Sequence, residues 1–146
     1  MLYVGLDLSR KRVDYCVLDE RGVIVEQAAS PADGDGLRHL ARRLAPLGQP
    51  VAAVESMNGA RFVHDQLERQ GWQVDVADAA RVRGLAPLAC KTDRIDAWVL
   101  AELCRRELVP AIWLPDQSVR QERERARFRL HLVKQGASGV LCMHDP

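Results

Sequence analysis

The chain has 146 residues, 47% of them hydrophobic and 28% charged, a balance that suits one globular domain with a real core. Its net charge of +1 singles out no partner. No signal pattern opens it and no apolar run approaches the roughly 18 residues of a membrane span, so secretion and membrane insertion find no support and the cytoplasm is the default. The four cysteines, Cys16, Cys90, Cys104 and Cys142, form no Cys-x-x-Cys pair, so neither zinc nor a disulfide framework is expected.

Leu2 to Leu8 alternates, with Leu2, Val4, Leu6 and Leu8 on one face and Tyr3, Gly5 and Asp7 on the other, which predicts a strand carrying a single acid. Arg12 to Asp19 and Val23 to Val25 predict two further strands joined by a Gly-containing turn, so three antiparallel strands open the fold. From Asp33 the period changes: Leu37, Leu40, Ala41 and Leu44 recur at helical spacing, and Pro46 with Gly48 supplies the stop. Pro50 to Glu55 is a nearly all-apolar strand that ends on an acid. A helix over Arg61 to Gln70, with Phe62, Val63 and Leu67 inward, leads to a fifth strand at Trp72 to Val76. Asp78 to Leu88 reads as a short helix or ordered loop broken at Pro87. Thr92 then caps a helix through Asp93, Asp96, Trp98, Leu100 and Leu103 towards Arg105 and Arg106. Strands alternating with helices predict a mixed α/β sheet.

Asp7, Glu55, Asp93 and Asp96 are the candidate site. Taken singly, each has an ordinary explanation. Asp7 can face water where a strand frays, Glu55 can bond the turn at Ser56 to Gly59, and acids in the first turn of a helix favour its dipole. Taken together they suggest more. A fourth strand following a helical crossover can lie beside the first, which would put Asp7 and Glu55 on neighbouring strands. A helix across that edge would add Asp93 and Asp96, which share a face because they lie three apart. Carboxylates crowded in this way repel one another unless a hard cation such as Mg²⁺ or Mn²⁺ neutralises them. Such a site suits phosphodiester chemistry on nucleic acid. Lys91 and Arg94 flank Asp93 and are placed to hold phosphate oxygens.

The segment from Arg120 to Lys134 carries six basic residues against Glu122 and Glu124, so a polyanion is its expected neighbour. Arg120, Arg123, Arg127 and Lys134 are the candidate nucleic-acid contacts there. From Gln117, the positions Val119, Ala126, Leu130 and Val133 form a seam suited to pairing with another helix. Gly136 to Val140 breaks the helical period.

Gly5-Leu6-Asp7-Leu8-Ser9, Val54-Glu55-Ser56 and Lys91-Thr92-Asp93-Arg94-Ile95-Asp96-Ala97 resemble the Asp-Glu-Asp-Asp signature of the DEDD-type insertion-sequence transposases. The third motif is the most specific, and the likeness extends from about Met1 to Gln135. The resemblance implies a RuvC-like, ribonuclease-H-like fold with a five-stranded mixed sheet, and Asp7, Glu55, Asp93 and Asp96 as Mg²⁺ ligands. It also implies DNA as substrate, a structured guide RNA as candidate partner, and a homo-oligomer formed through the C-terminal helix. The expected organisation is a metal-binding domain over 1–110, a linker and basic helix over 111–135 and a divergent tail over 136–146. Relatives carry a further domain with a nucleophilic serine. None of Ser9, Ser30, Ser56, Ser118 or Ser138 matches it, so the chain is expected to be truncated and incomplete for catalysis alone. Two other readings stand beside this one: a fragment of an actin-like sugar kinase, suggested by Gly-Leu-Asp before a hairpin, and a non-catalytic interaction fragment.

Overall fold

The computed structural model describes residues 1–85 and 93–141, apart from the side chains of residues 93, 94, 117 and 135–141. Two compact units divide it, Met1–Ile112 and Trp113–Pro146. The first is built on a five-stranded sheet. Strands β1 (Leu2–Leu8), β2 (Arg12–Leu18) and β3 (Ile24–Pro31) pair antiparallel in sequence order. Strands β4 (Pro50–Glu55) and β5 (Gln73–Ala77) then extend the other side of β1 in parallel, giving the order β3-β2-β1-β4-β5. This is the mixed α/β sheet that the alternating periods predict, and β1 lies at its centre.

Its two faces are covered by different helices. Leu2, Val4, Leu6 and Leu8 are buried on the face that receives helix α1 (Gly34–Leu44). There the Ser30 hydroxyl donates to Gly36 O at 3.0 Å, and Arg43 meets Glu26 at 2.9 Å. Asp33 starts α1 by accepting from Gly36 N at 2.7 Å, as an N-cap should. Helix α2 (Ala60–Glu68) packs beside α1, and Gly59 before it lies over Leu8. A short helix, α3 (Ala79–Leu85), follows β5.

Helix α4 (Asp93–Arg105) takes the opposite face and lies unusually close to β1. A Cβ placed on Gly5 would fall 1.9 Å from Ala97 O and 2.4 Å from Ala101 N, so only glycine fits beneath the helix. Ala97 and Ala101 are themselves fully buried, and with Tyr3, Cys16 and Leu18 they form one cluster of the core. Cys16 and Cys104 are buried free thiols; burial pushes Cys16 up to about 11, while burial with the Asp75 carboxylate pushes Cys104 up to about 12. Cys90 and Cys142 lie outside the described residues.

Three expectations need correction. Phe62 is 44% exposed rather than inward, because Ala60, Val63, His64 and Leu67 make the buried stripe of α2 and Phe62 falls to its side. Strand β3 runs on to Pro31, well past Val25, because pairing with β2 overrides the weak strand preference of Gln27, Ala28 and Ala29. Helix α5 (Gln117–Leu141) continues through Gly136 and Gly139. Glycine within a helix costs only about 1 kcal/mol and does not by itself stop one.

The contact at Gly5 is open to direct test. Gly5→Ala should lower the free energy of unfolding by roughly 3 kcal/mol, the upper range for overpacking. Gly34→Ala, at the first residue of α1 with nothing nearer than 3.5 Å, should stay within about 0.5 kcal/mol of the parent. Urea denaturation of the two variants makes the comparison; equal stability would mean that α4 does not press on β1.

Candidate functional site

The site begins with strand register. Parallel β1 and β4 pair as far as Leu6 with Val54, so Asp7 and Glu55 take the next positions on adjacent strands. Neighbouring strands lie about 4.8 Å apart, and residues in parallel register point to the same face. That face is the one α4 covers, since Tyr3, Gly5 and Asp7 alternate onto it from β1 and Val51, Ala53 and Glu55 from β4. Both acids are half-buried.

The direction of α4 follows from two contacts. Its C-terminal part lies towards the start of β4, where the Cys104 thiol donates to Val51 O at 3.4 Å, and its middle sits on Gly5. Its first turn therefore points to the sheet edge that carries Asp7 and Glu55. Asp96 precedes the buried Ala97 and is half-buried; Asp93 opens the helix one turn before Ala97. The side chains of Asp93 and Arg94, together with Lys91, Thr92 and Pro87, lie outside the described residues. Among the described residues, no group of three or more His, Cys, Asp or Glu could hold a metal ion.

The turn after Glu55 satisfies itself without that carboxylate. Ser56 N donates to Ala77 O at 2.8 Å, Ala79 N donates to the Ser56 hydroxyl at 3.2 Å, and Ala60 N donates to Met57 O at 3.0 Å. Asp78 then caps α3, accepting from Ala80 N at 2.9 Å and Arg81 N at 3.2 Å. The end of β4 is thus fixed by its own backbone and by Ser56.

A fifth acid was missed in the sequence. Asp14 on β2 pairs directly with Asp7 across the first hairpin, is only 8% exposed, and receives Arg12 Nε at 2.8 Å. The signal was available: the short loop Arg10-Lys11 fixes a register in which Asp7 must face Asp14.

Near its other end α4 is tied down by charge. Glu102 is held by Arg105 at 2.7 Å and by Arg106 at 2.6 Å, while Arg105 Nη1 donates to Glu20 O at 3.4 Å in the turn between β2 and β3. The Arg105 guanidinium, seconded by Arg106, holds the Glu102 carboxyl down at about 2.

In the second unit Asp116 starts α5, accepting from Val119 N at 2.9 Å, and the Arg123 guanidinium lies 5.9 Å from the centre of the Trp113 ring. Arg123, Arg127 and Lys134 are exposed and Arg120 is half-exposed. Val119, Ala126, Leu130 and Val133 lie along one side of α5, but they are not its only apolar residues. At about 100° per residue, Phe128 and Leu132 fall on the side opposite Ala126, Leu130 and Val133, and all five are exposed.

A sheet of this order, flanked by helices and bearing acids at the ends of its two central parallel strands, defines the ribonuclease-H-like class of α/β domains. Residues 4–140 match the family of IS110-type DEDD transposases, described as "Transposase", and the chain belongs to that family. The match runs five residues past Gln135, where the likeness read from the sequence stops. Among solved structures, Thermus thermophilus RuvC is similar over 77% of this chain and 100% of its own, with 14% identity and a TM-score of 0.48. A ROK family glucokinase from Streptomyces griseus, in complex with glucose and AMPPNP, is similar over 57% of this chain and 35% of its own, with 14% identity and a TM-score of 0.36. Likenesses this remote speak to neither substrate nor mechanism. No curated protein matches the chain. Family membership therefore decides for the transposase and against the sugar kinase.

Glu102 gives a pH test of how α4 is held. Its folded value lies below the ordinary 4.5, so the stabilisation is complete above about 4.5 and disappears as pH falls towards 2. With Arg106 58% exposed and solvent screening the pair, Glu102→Gln should cost on the order of 1–2 kcal/mol at pH 7. Near pH 2 it should cost nothing. A cost independent of pH in chemical denaturation would dissociate Glu102 from the two arginines.

Proposed function

We propose that this transposase domain binds Mg²⁺ or Mn²⁺ through Asp7, Glu55, Asp93 and Asp96 and acts on the phosphodiester backbone of DNA. The observation that carries the reading is that Asp7 and Glu55 stand side by side at the ends of adjacent parallel strands, under a helix whose first turn holds Asp93 and Asp96. The donor set fits the ion: all four are carboxylates, and hard divalent cations take oxygen ligands. When bound, such ions activate an attacking oxygen and stabilise a leaving one.

The chain's own residues supply the rest. Strands β1 and β4 carry Asp7 and Glu55, and α4, held on Gly5, carries Asp93 and Asp96 in its first turn. Lys91 and Arg94 lie beside Asp93 in sequence and are assigned to phosphate oxygens of the strand being cut. Arg120, Arg123, Arg127 and Lys134 give α5 a row of cations for DNA or for a structured guide RNA. The exposed Leu130 and Val133 are assigned to self-association of α5, and the cytoplasm is the proposed location. Among the described residues, no helix is long and apolar enough to cross a membrane.

Two measurements test the proposal. At about 100 times its dissociation constant, Mg²⁺ stabilises a native state by about 2.7 kcal/mol, which should raise the melting temperature of the full chain by roughly 5–10 °C. Asp7→Asn combined with Asp93→Asn should abolish that rise; a rise that survives the double substitution, or none in the parent, removes the shared cation site. For α5, sedimentation should show a concentration-dependent dimer that Leu130→Glu with Val133→Glu dissociates. A parent that sediments as a monomer at high concentration refutes the assembly role.

A further inference from the structure

We infer that the tip of the β1–β2 hairpin, Arg10-Lys11-Arg12, is a rigid clamp for the phosphate backbone of DNA beside the carboxylate edge. The inference rests on the reading of this chain as a DNA-handling domain and adds to it the residues that would grip the strand next to Asp7. Three consecutive cations repel one another and are normally left on a loose, solvated loop. Here they sit on a tip that the fold holds firmly. Ser9 N and the Ser9 hydroxyl both donate to Arg12 O at 2.9 Å, and Ala32 N donates to Lys11 O at 3.2 Å. All three basic residues are exposed.

The decisive feature is Arg12. Its Nε is bound by Asp14, a carboxylate only 8% exposed that faces Asp7 across the strand pair. Asp14 therefore helps to fix the direction of a guanidinium that is 53% exposed, and Arg12 stands at the same end of the sheet as Asp7. A guanidinium ordered in advance loses little freedom when it takes up a phosphate, and its planar fork suits phosphate oxygens. The hairpin loop leaves β1 just beyond Asp7, so a strand lying across the acid edge passes the tip. The repulsion between its phosphates and the edge carboxylates is offset at the point where the strand enters.

The full-length chain and a fluorescein-labelled DNA duplex provide the test, by anisotropy across a salt series in EDTA, where divalent-ion binding plays no part. Arg10→Gln with Lys11→Gln should weaken binding about tenfold at low salt and flatten the plot of log affinity against log salt by about 2, near 0.9 for each phosphate left without its cation. Arg42→Gln with Arg69→Gln removes the same charge from exposed positions elsewhere and should leave the slope unchanged. Asp14→Asn makes the protein more positive yet should bind no tighter, because Arg12 loses the carboxylate that orients its Nε; tighter binding would refute the tether. If the parent binds but the hairpin variant keeps its slope, the clamp alone is overturned. If the parent binds no duplex at all, the DNA reading falls and the clamp with it. Loss of binding confined to a structured RNA probe would overturn the assignment to DNA.

Discussion

One close approach organises this domain: α4 lies so near the central strand that the carbonyl of Ala97 occupies the space where a side chain on Gly5 would be. The contact has no directional chemistry of its own. It works by exclusion, since glycine below and two alanines above are the only residues that let the backbones meet. Because packed interiors tolerate little change in volume, that approach fixes the height and the position of the helix over the sheet. The ion pairs at Glu102 add a second attachment, so α4 is held near one end by charge and in its middle by shape.

From that constraint the placement of the acids follows without further devices. A strand alternates faces, so the face that carries Gly5 also carries Asp7. Parallel pairing puts Glu55 beside it, and a helix running back over the strand presents its first turn to the same edge. The acids come from three separate segments, and strand register and helix direction set where each segment stands. The turn after Glu55 shows this best: Ser56 bonds Ala77 and Ala79 there, and among the described residues the Glu55 carboxylate takes no part in the turn.

Much of this was legible in the residues because local period carries it. The alternation of Leu2 to Leu8 and the apolar run ending at Glu55 define β1 and β4 closely, and the Asp33 cap with its apolar stripe defines α1. What escaped depended on partners distant in the chain. Most of β3 is a polar edge whose strand character comes from β2, and Phe62 follows the stripe of α2 rather than its own hydrophobicity. The glycine of Gly-Leu-Asp passed as part of a common motif, although its reason is steric and involves residues more than ninety positions away. Asp14 was passed over for a different reason: an acid inside a hairpin strand attracts no notice until its register against Asp7 is counted.

The same contact has a consequence for the nascent chain. The first hairpin leaves the ribosome early, but its partner on the α4 side is not made until residues 97–101 have been polymerised. Until then Tyr3, Cys16 and Leu18 lack the cover that Ala97 and Ala101 give them in the folded domain, although β4 has already been made. Such an uncovered face invites holdase chaperones and association between unfinished chains. Synthesis of α4 is thus the step that closes this face of the first hairpin, and a pause in translation before it would lengthen the time the face stays open.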